Sequence, residues 1–198
     1  RFYRLLTRPN WKSWLVKGGV VLGAFTAMTS IILTLRFMGA DALADGLRWP
    51  NAALGLLVAG YTAFLFAQCK GRDLWESRLL LPHLLVQALL CGSAILRIVA
   101  NEYATLTWIL LASIVVHAIF CLLERYGDHP TANGKQAAAF LGTVQCWNAP
   151  AFASSFMLIA IGIAVMLLGL SGGVVLVLMG LYFYEHAYVR AAQLPPLS

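Results

Sequence analysis

The chain has 198 residues, of which 61% are hydrophobic and only 11% are charged, and its formal net charge is +6. Soluble domains are about 25% charged, so this composition, together with a mean hydropathy of +0.79, excludes a water-soluble domain. The fourteen Lys and Arg residues lie in short polar segments and not in one basic stripe, which argues against nucleic acid as a partner.

Six apolar stretches follow one another along the chain, with almost no ionisable residue at their centres. A helix needs about 20 residues to cross a bilayer, and only helices and closed barrels satisfy their own backbone in lipid. The sequence therefore predicts an all-α polytopic transmembrane helix bundle, forming a single domain over residues 1–198. The predicted spans are 14–35, 49–68, 79–100, 104–123, 149–170 and 172–189.

The segments between the predicted spans are short and polar. A loop over 69–78 joins the second and third spans, and a turn over 101–103 joins the third and fourth. The longest polar connection is 124–136, and the moderately apolar stretch 137–147 after it is expected to lie at the membrane interface. Ser171 and a pair of glycines separate the last two spans, so these two helices are expected to be close neighbours.

The distribution of Lys and Arg predicts the orientation of the chain. Eleven of the fourteen lie on the side that holds the N-terminal end, and three, Arg36, Arg48 and Arg97, lie on the other side. Cytoplasmic segments carry the excess of positive charge, so both ends of this chain are expected in the cytoplasm, with the spans in a bacterial inner membrane. Because the chain begins at Arg1 in a basic, loop-like segment, we expect it to be the remainder of a longer protein.

The four cysteines show no metal-binding pattern along the sequence. They form no CxxC pair, and no histidine follows them at a zinc-finger spacing. Free cysteines are usually buried as small apolar side chains, which is the expectation for Cys69, Cys91, Cys121 and Cys146. The cysteine pattern thus gives no support for an iron–sulfur cluster or a zinc site in this chain.

A few polar residues in the predicted spans are candidates for a binding site, and Arg97 and Asn101 among them lie towards the non-cytoplasmic face. Arg97 and Asn101 are four residues apart and share a helix face. In one interpretation these two residues line a pocket that receives a quinone carbonyl. In the other, Arg97 only forms an ion pair with Glu102. Tyr61 lies deep in the second span, where its hydroxyl serves as a structural anchor or as a ligand contact.

A second polar group lies at similar depth near the cytoplasmic side. Chains of Asp, Glu and His form proton routes in membranes, and His titrates near neutral pH, so a proton pathway is one interpretation. The alternatives are isolated, structurally satisfied histidines or a bis-His haem, although no second His pair occurs towards the opposite face. The candidate pathway residues are His83, His117, Glu124, Glu185 and His186.

Several segments together resemble the NrfD/PsrC family of polysulfide-reductase-type membrane subunits, which exchange electrons with quinones. The similarity extends over essentially the whole chain, although each motif is short. The segments are RPNWKSWLVKG at 8–18, GYTAFLF at 60–66, LWES at 74–77, LLPH at 80–83, AF at 151–152 and YVRAAQLPP at 188–196.

The resemblance implies a specific function. Members typically have eight spans, so this chain would cover the last six, and Tyr61 matches a quinone-contact position. The expected partners are a four-cluster ferredoxin-like iron–sulfur subunit and a molybdenum or tungsten pterin catalytic subunit. The expected cofactor is menaquinone or ubiquinone, with no metal or haem in this chain. Glu185 stands where many members carry Arg, which leaves the role of that position open.

Three other functions compete with a quinone-interacting subunit of a respiratory oxidoreductase. A haem b-bearing cytochrome anchor would use the His83 and His117 pair. A membrane transporter usually shows an internal repeat with broken helices, and none is evident in this sequence. A passive anchor without any quinone site is the third alternative.

Overall fold

The computed structural model describes residues 8–100 and 104–196, which are mostly helical. These residues form eight α-helices and one antiparallel two-stranded hairpin. In chain order the elements are α1 Trp14–Phe37, α2 Asp41–Gly46, α3 Arg48–Phe66, α4 Leu80–Val99, α5 Ala104–Tyr126, α6 Ala132–Leu141, β1 Gln145–Cys146, β2 Ala149–Pro150, α7 Ala151–Leu167 and α8 Gly172–Ala191.

Five of the described helices, namely α1, α3, α4, α5 and α8, are long and apolar enough to cross a membrane. The fifth of the six predicted spans, 149–170, is shorter than expected, because it forms the 17-residue helix α7. Residues 149–150 belong to β2, and beyond Leu167 the chain turns through Gly169 at a φ of +80°. Since this length is at the lower limit for crossing a bilayer, the fifth predicted span stays a prediction, and with it the total of six.

The chain divides into two compact units, of which the first ends at Gln68 and the second begins at Cys69. In the first unit α1 packs along α3. The Trp14 backbone N–H donates to the Gln68 side-chain oxygen at 2.9 Å, and the Trp14 ring stacks on Phe64 with 4.3 Å between ring centroids. These contacts fasten the start of α1 to the end of α3, so the two helices run antiparallel.

The same helix pair is also joined nearer its other end. The Asn51 amide donates to the Thr29 hydroxyl at 3.2 Å, and Arg36 forms ion pairs with Asp41 and Asp45 of the short helix α2. Most other side chains of α1 are apolar and exposed within the described residues, as expected of a helix that faces lipid.

The second unit is a bundle of α4, α5, α7 and α8 around an apolar core. Helices α7 and α8 approach closely because glycines lie at their contact, which is typical of helix packing in membranes. The core residues are Leu90, Ala94, Leu110, Ile114, Ile159, Met166, Val174, Val177 and Leu181.

One end of this second unit is closed by hydrogen bonds between its loops and the C-terminal segment. The Arg72 guanidinium donates to the carbonyls of Gln193 at 3.0 Å and Pro195 at 2.8 Å. The Tyr188 hydroxyl donates to the Leu74 carbonyl at 2.8 Å. The loop over residues 69–79 is thereby held over the bundle end at which the buried polar side chains described next are found.

Candidate functional site

A cluster of polar side chains is buried where α4, α5 and α8 meet. His83 lies in the first turn of α4, and His117 and Glu124 are seven residues apart on α5, so they share a face of that helix. The exposed fraction is 1% for each histidine and 0% for Glu124. Two further members, Cys121 on α5 and Tyr184 on α8, are also fully buried. We call these five residues the buried polar cluster.

The buried polar cluster is connected by a chain of hydrogen bonds. His83 Nδ1 lies 3.0 Å from Glu124 Oε2, and His83 Nε2 lies 2.8 Å from His117 Nδ1. The Tyr184 hydroxyl donates to the same Oε2 of Glu124. His117 Nε2 lies 3.5 Å from Cys121 Sγ. Three helices are thus linked through side chains only.

The chemistry of imidazole determines which atom donates and which accepts in each of these hydrogen bonds. If Glu124 is ionised and each imidazole holds one proton, His83 Nδ1–H donates to Glu124 and His83 Nε2 accepts from His117 Nδ1–H. His117 Nε2 is then an acceptor facing the Cys121 thiol. An additional proton on His83 reverses the bond between the two rings, so His83 Nε2–H donates to His117 Nδ1. The cluster therefore has two hydrogen-bonded arrangements that differ by one proton.

One oxygen of the cluster is left without a partner. Glu124 Oε1 is buried and accepts no hydrogen bond from any described residue. A buried carboxylate oxygen without a donor costs about 1 to 3 kcal/mol or more. The site therefore has a vacant acceptor beside the two imidazoles, where a proton or another donor would be stabilised.

Two predicted pathway residues lie near the cluster but outside its hydrogen-bonded chain. The half-buried Glu185 carboxyl group interacts with the Gln87 side chain and is within electrostatic range of His83. His186 Nε2 lies 3.2 Å from the backbone carbonyl of Gln145 in β1. The structure thus brings His83, His117 and Glu124 together and leaves Glu185 and His186 outside their hydrogen-bonded chain. The pathway role of all five residues stays a prediction.

The predicted quinone residues are found in different surroundings. The Tyr61 ring lies on α1 at Gly18, where an added Cβ would be 2.2 Å from the ring carbons. None of the described residues forms a hydrogen bond with the Tyr61 hydroxyl. Arg97 donates to the Thr107 hydroxyl on the neighbouring helix α5. Asn101 and the proposed Arg97 partner Glu102 lie outside the described residues.

A cavity of about 690 Å³ opens at the loop end of the second unit. Its walls come from residues 73–79 and from the connection after α5, and they include Arg78 and Asp128. His129, also in the wall, has Nε2 3.1 Å from the Glu124 backbone carbonyl. The His129 side chain thus connects the end of α5, where Glu124 lies, with a cavity that is open to solvent.

Sequence reasoning missed Cys121 and Tyr184 as members of the cluster. Cys121 is four residues after His117 and three before Glu124, so its helical spacing placed it on their face. Tyr184 directly precedes the predicted Glu185 and, like Tyr61, lies in an apolar helix, so the need of its hydroxyl for a partner was the available signal. Helical spacing from His117 was the available signal for the cysteine.

Comparisons with protein-family models, with curated proteins and with solved structures give no match for this chain.

Proposed function

We propose that this chain is the membrane-embedded, quinone-interacting subunit of a multi-subunit respiratory oxidoreductase, and that its buried polar cluster carries protons for the quinone reaction. The observation that supports the proposal most directly is the hydrogen-bonded chain from Tyr184 through Glu124 and His83 to His117. Ionisable groups among apolar helices are costly and usually serve transport or binding.

The proposed reaction requires both electrons and protons. A quinone takes up two electrons and two protons to become a quinol, and the reverse reaction releases them. In our proposal the electrons pass to or from the clusters of an iron–sulfur subunit, whose own partner is a molybdenum or tungsten pterin enzyme. This chain contributes the quinone head-group contacts and the route of the protons.

Tyr61 is the proposed head-group contact, and Arg97 and Asn101 are the alternative candidates. The Tyr61 ring is fixed against Gly18, while its hydroxyl has no hydrogen-bond partner among the described residues, which suits donation to a quinone carbonyl. Arg97 already donates to Thr107 and would have to exchange this partner or share its remaining N–H groups. We therefore rank Tyr61 first.

The proposed membrane is the bacterial inner membrane, with both ends of the chain in the cytoplasm. The excess of Lys and Arg on that side supports this orientation. The buried polar cluster would then lie towards the cytoplasm, because His83 is in the first turn of α4 and Glu124 is in the last turn of α5. Protons would enter from the cytoplasmic loops.

The geometry favours proton transfer over the haem alternative. A bis-His haem places its two imidazoles on opposite faces of a porphyrin, whereas His83 and His117 are hydrogen-bonded directly to each other. Their ring centroids are 4.9 Å apart with a tilt of 41°, so a porphyrin would have to separate α4 from α5. Direct contact between two imidazoles is instead the arrangement that passes a proton.

Substitution of Tyr61 by Phe tests the quinone contact. If the hydroxyl donates to the quinone, its loss removes about 1 kcal/mol of binding, which corresponds to about a five-fold rise in KM for a water-soluble quinol. The measurement is steady-state quinol oxidation by the complex purified through a tag on this chain. Tyr126→Phe is the matched control, because Tyr126 is 71% exposed on α5. Equal KM values in both variants would refute the contact.

A further inference from the structure

The thiol of Cys121 and the two imidazoles of the buried polar cluster have an arrangement that the proton route does not need. One donor atom from each of His83, His117 and Cys121 can be chosen so that all three lie within 4.8 Å of one another. All three residues are buried. Imidazole and thiolate together are the ligands preferred by zinc and similar divalent ions.

We infer that His83, His117 and Cys121 form a binding site for a divalent transition-metal ion of the zinc type. The ligands are His83 Nε2, His117 Nδ1 and Cys121 Sγ. His117 and Cys121 are four residues apart on α5, a spacing that directs two side chains to one point. His83 provides the third ligand from the neighbouring helix α4.

The distances between the ligand atoms are close to those of a tetrahedral site. Bond lengths of about 2.0 Å to nitrogen and about 2.3 Å to sulfur separate two nitrogens by about 3.3 Å and a nitrogen from sulfur by about 3.5 Å. The chain has 2.8 Å between His83 Nε2 and His117 Nδ1, and 3.8 Å between His117 Nδ1 and Cys121 Sγ. Side-chain movements of about half an ångström therefore fit these two edges to the ion.

Glu124 and Tyr184 supply the outer support that such sites use. A histidine bound to a metal usually donates its other ring N–H to a carboxylate, which fixes the orientation of the ring. His83 has this arrangement, because its Nδ1 lies 3.0 Å from Glu124 Oε2. The Tyr184 hydroxyl in turn holds that carboxylate. The ring is thus oriented with Nε2 towards the ligand position.

The charges at this place suit a divalent ion. Glu124 Oε1 is completely buried and has no hydrogen-bond donor among the described residues, so a positive charge nearby would stabilise the carboxylate. A divalent ion with one thiolate and the Glu124 carboxylate is neutral, and neutrality lowers the cost of burial. An ion held by three protein ligands keeps a fourth position for water.

An ion at this site and proton transfer through the site exclude each other. The ion occupies both nitrogens that the proton would pass between, so the loaded chain is an arrested form of the pathway. This consequence rests on the proposed function, whereas binding of the ion does not. Binding is therefore tested on the isolated chain, without quinone or partner subunits.

The test uses the full chain purified in detergent, freed of metal with a chelator and titrated with Co²⁺ as a spectroscopic probe. Cys69 is exposed, so Cys69→Ser serves as the parent to remove adventitious thiol binding. We expect saturation at one equivalent, with a thiolate-to-cobalt charge-transfer band. In Cys121→Ser the band is lost, whereas in the matched control Cys146→Ser, which removes another buried thiol of the same unit, it remains.

Two further measurements extend the test, and the second of them changes no residue of the site. Glu124→Gln is expected to raise the Kd for Co²⁺ about 10 to 100-fold, the usual effect of losing an outer-shell carboxylate. X-ray absorption of the Zn²⁺-loaded parent is expected to show one sulfur ligand and at least two nitrogen ligands. Non-saturable binding, or a zinc environment without sulfur, would overturn the inference and leave the proton proposal untouched.

Discussion

Replacement of Glu124 by Gln is expected to lower quinone-linked turnover about 100-fold while leaving the fold intact. Gln has the same shape and still accepts a hydrogen bond from Tyr184. Its amide oxygen takes the place of Oε2, so it also still accepts from His83 Nδ1–H. The variant, however, lacks the negative charge that stabilises an imidazolium, so the arrangement with an additional proton on His83 is lost.

The measurement is steady-state quinol oxidation by the purified complex, with proton release followed in the same sample. The matched control is Glu76→Gln, because Glu76 lies in the exposed loop and pairs with Lys70 at 3.0 Å. We expect the turnover of the control to stay within two-fold of that of the unsubstituted complex. Turnover of Glu124→Gln within the same limit would contradict a role for the cluster in the proton route.

A non-polar replacement distinguishes proton transfer from simple stability. Glu124→Leu leaves the Tyr184 hydroxyl and the His83 N–H buried without a partner, at a cost of about 1 to 3 kcal/mol for each group. It should therefore reduce the free energy of unfolding, whereas Glu124→Gln should reduce it much less. If the two variants lose activity only in proportion to stability, the carboxylate is structural.

The positions of most helices were predictable, because a long apolar stretch bounded by polar residues can form little other than a helix in lipid. The observed bounds of α4, Leu80–Val99, and of α8, Gly172–Ala191, differ from the predicted spans by at most two residues. The prediction was less accurate at the end of α5. A charged residue usually ends a span, so the predicted helix stopped at residue 123, but α5 continues to Tyr126. That extra turn is what places Glu124 inside the bundle.

The short hairpin was not predictable from turn chemistry. Its two-residue turn is formed by Trp147 and Asn148, both with positive φ, at 50° and 62°. Such turns favour Gly and Asn, and a bulky residue at positive φ is uncommon. Tertiary contacts decide the conformation instead, since the Trp147 ring packs edge-on against Phe183 with 5.3 Å between centroids.

The candidate site was predictable only in part, because depth along a span does not fix direction around a helix. The similar depths of His83, His117 and Glu124 predicted neighbours, and the structure brings these three residues into direct contact. Glu185 and His186 have a suitable depth but lie outside the hydrogen-bonded chain, because Glu185 interacts with the Gln87 side chain and His186 contacts the Gln145 carbonyl. Which face of α8 meets α5 depends on the glycines of α8, whose packing against α7 is a tertiary property.

Substitution of Gly173 by Ala is expected to destabilise the second unit by about 1 to 3 kcal/mol or more. A Cβ at this position would lie 2.3 Å from the Gly162 carbonyl oxygen and 2.8 Å from the Met166 backbone nitrogen on α7. These atoms are backbone and cannot turn aside, so α7 and α8 must move apart. The adjacent Gly172 has nothing within 4 Å of its Cβ position.

Gly172→Ala is therefore the matched control, and we expect it to be neutral or to stabilise by up to about 1 kcal/mol through the better helix propensity of Ala. Thermal unfolding of both variants in the same detergent, followed by circular dichroism, makes the comparison. Similar Tm values for the two variants would show that α7 and α8 do not pack through their glycines.

The substitution Gly173→Ala also connects the packing of α8 against α7 with the buried polar cluster. Gly180 also lies against α7, with its Cβ position 2.7 Å from the Ser155 carbonyl oxygen, and Tyr184 follows one helical turn later. Displacement of α8 therefore withdraws the Tyr184 hydroxyl from Glu124. Gly173→Ala should lose quinone-linked turnover even at temperatures where it stays folded, whereas Gly172→Ala should keep it, because only the first moves the helix that holds the carboxylate in place.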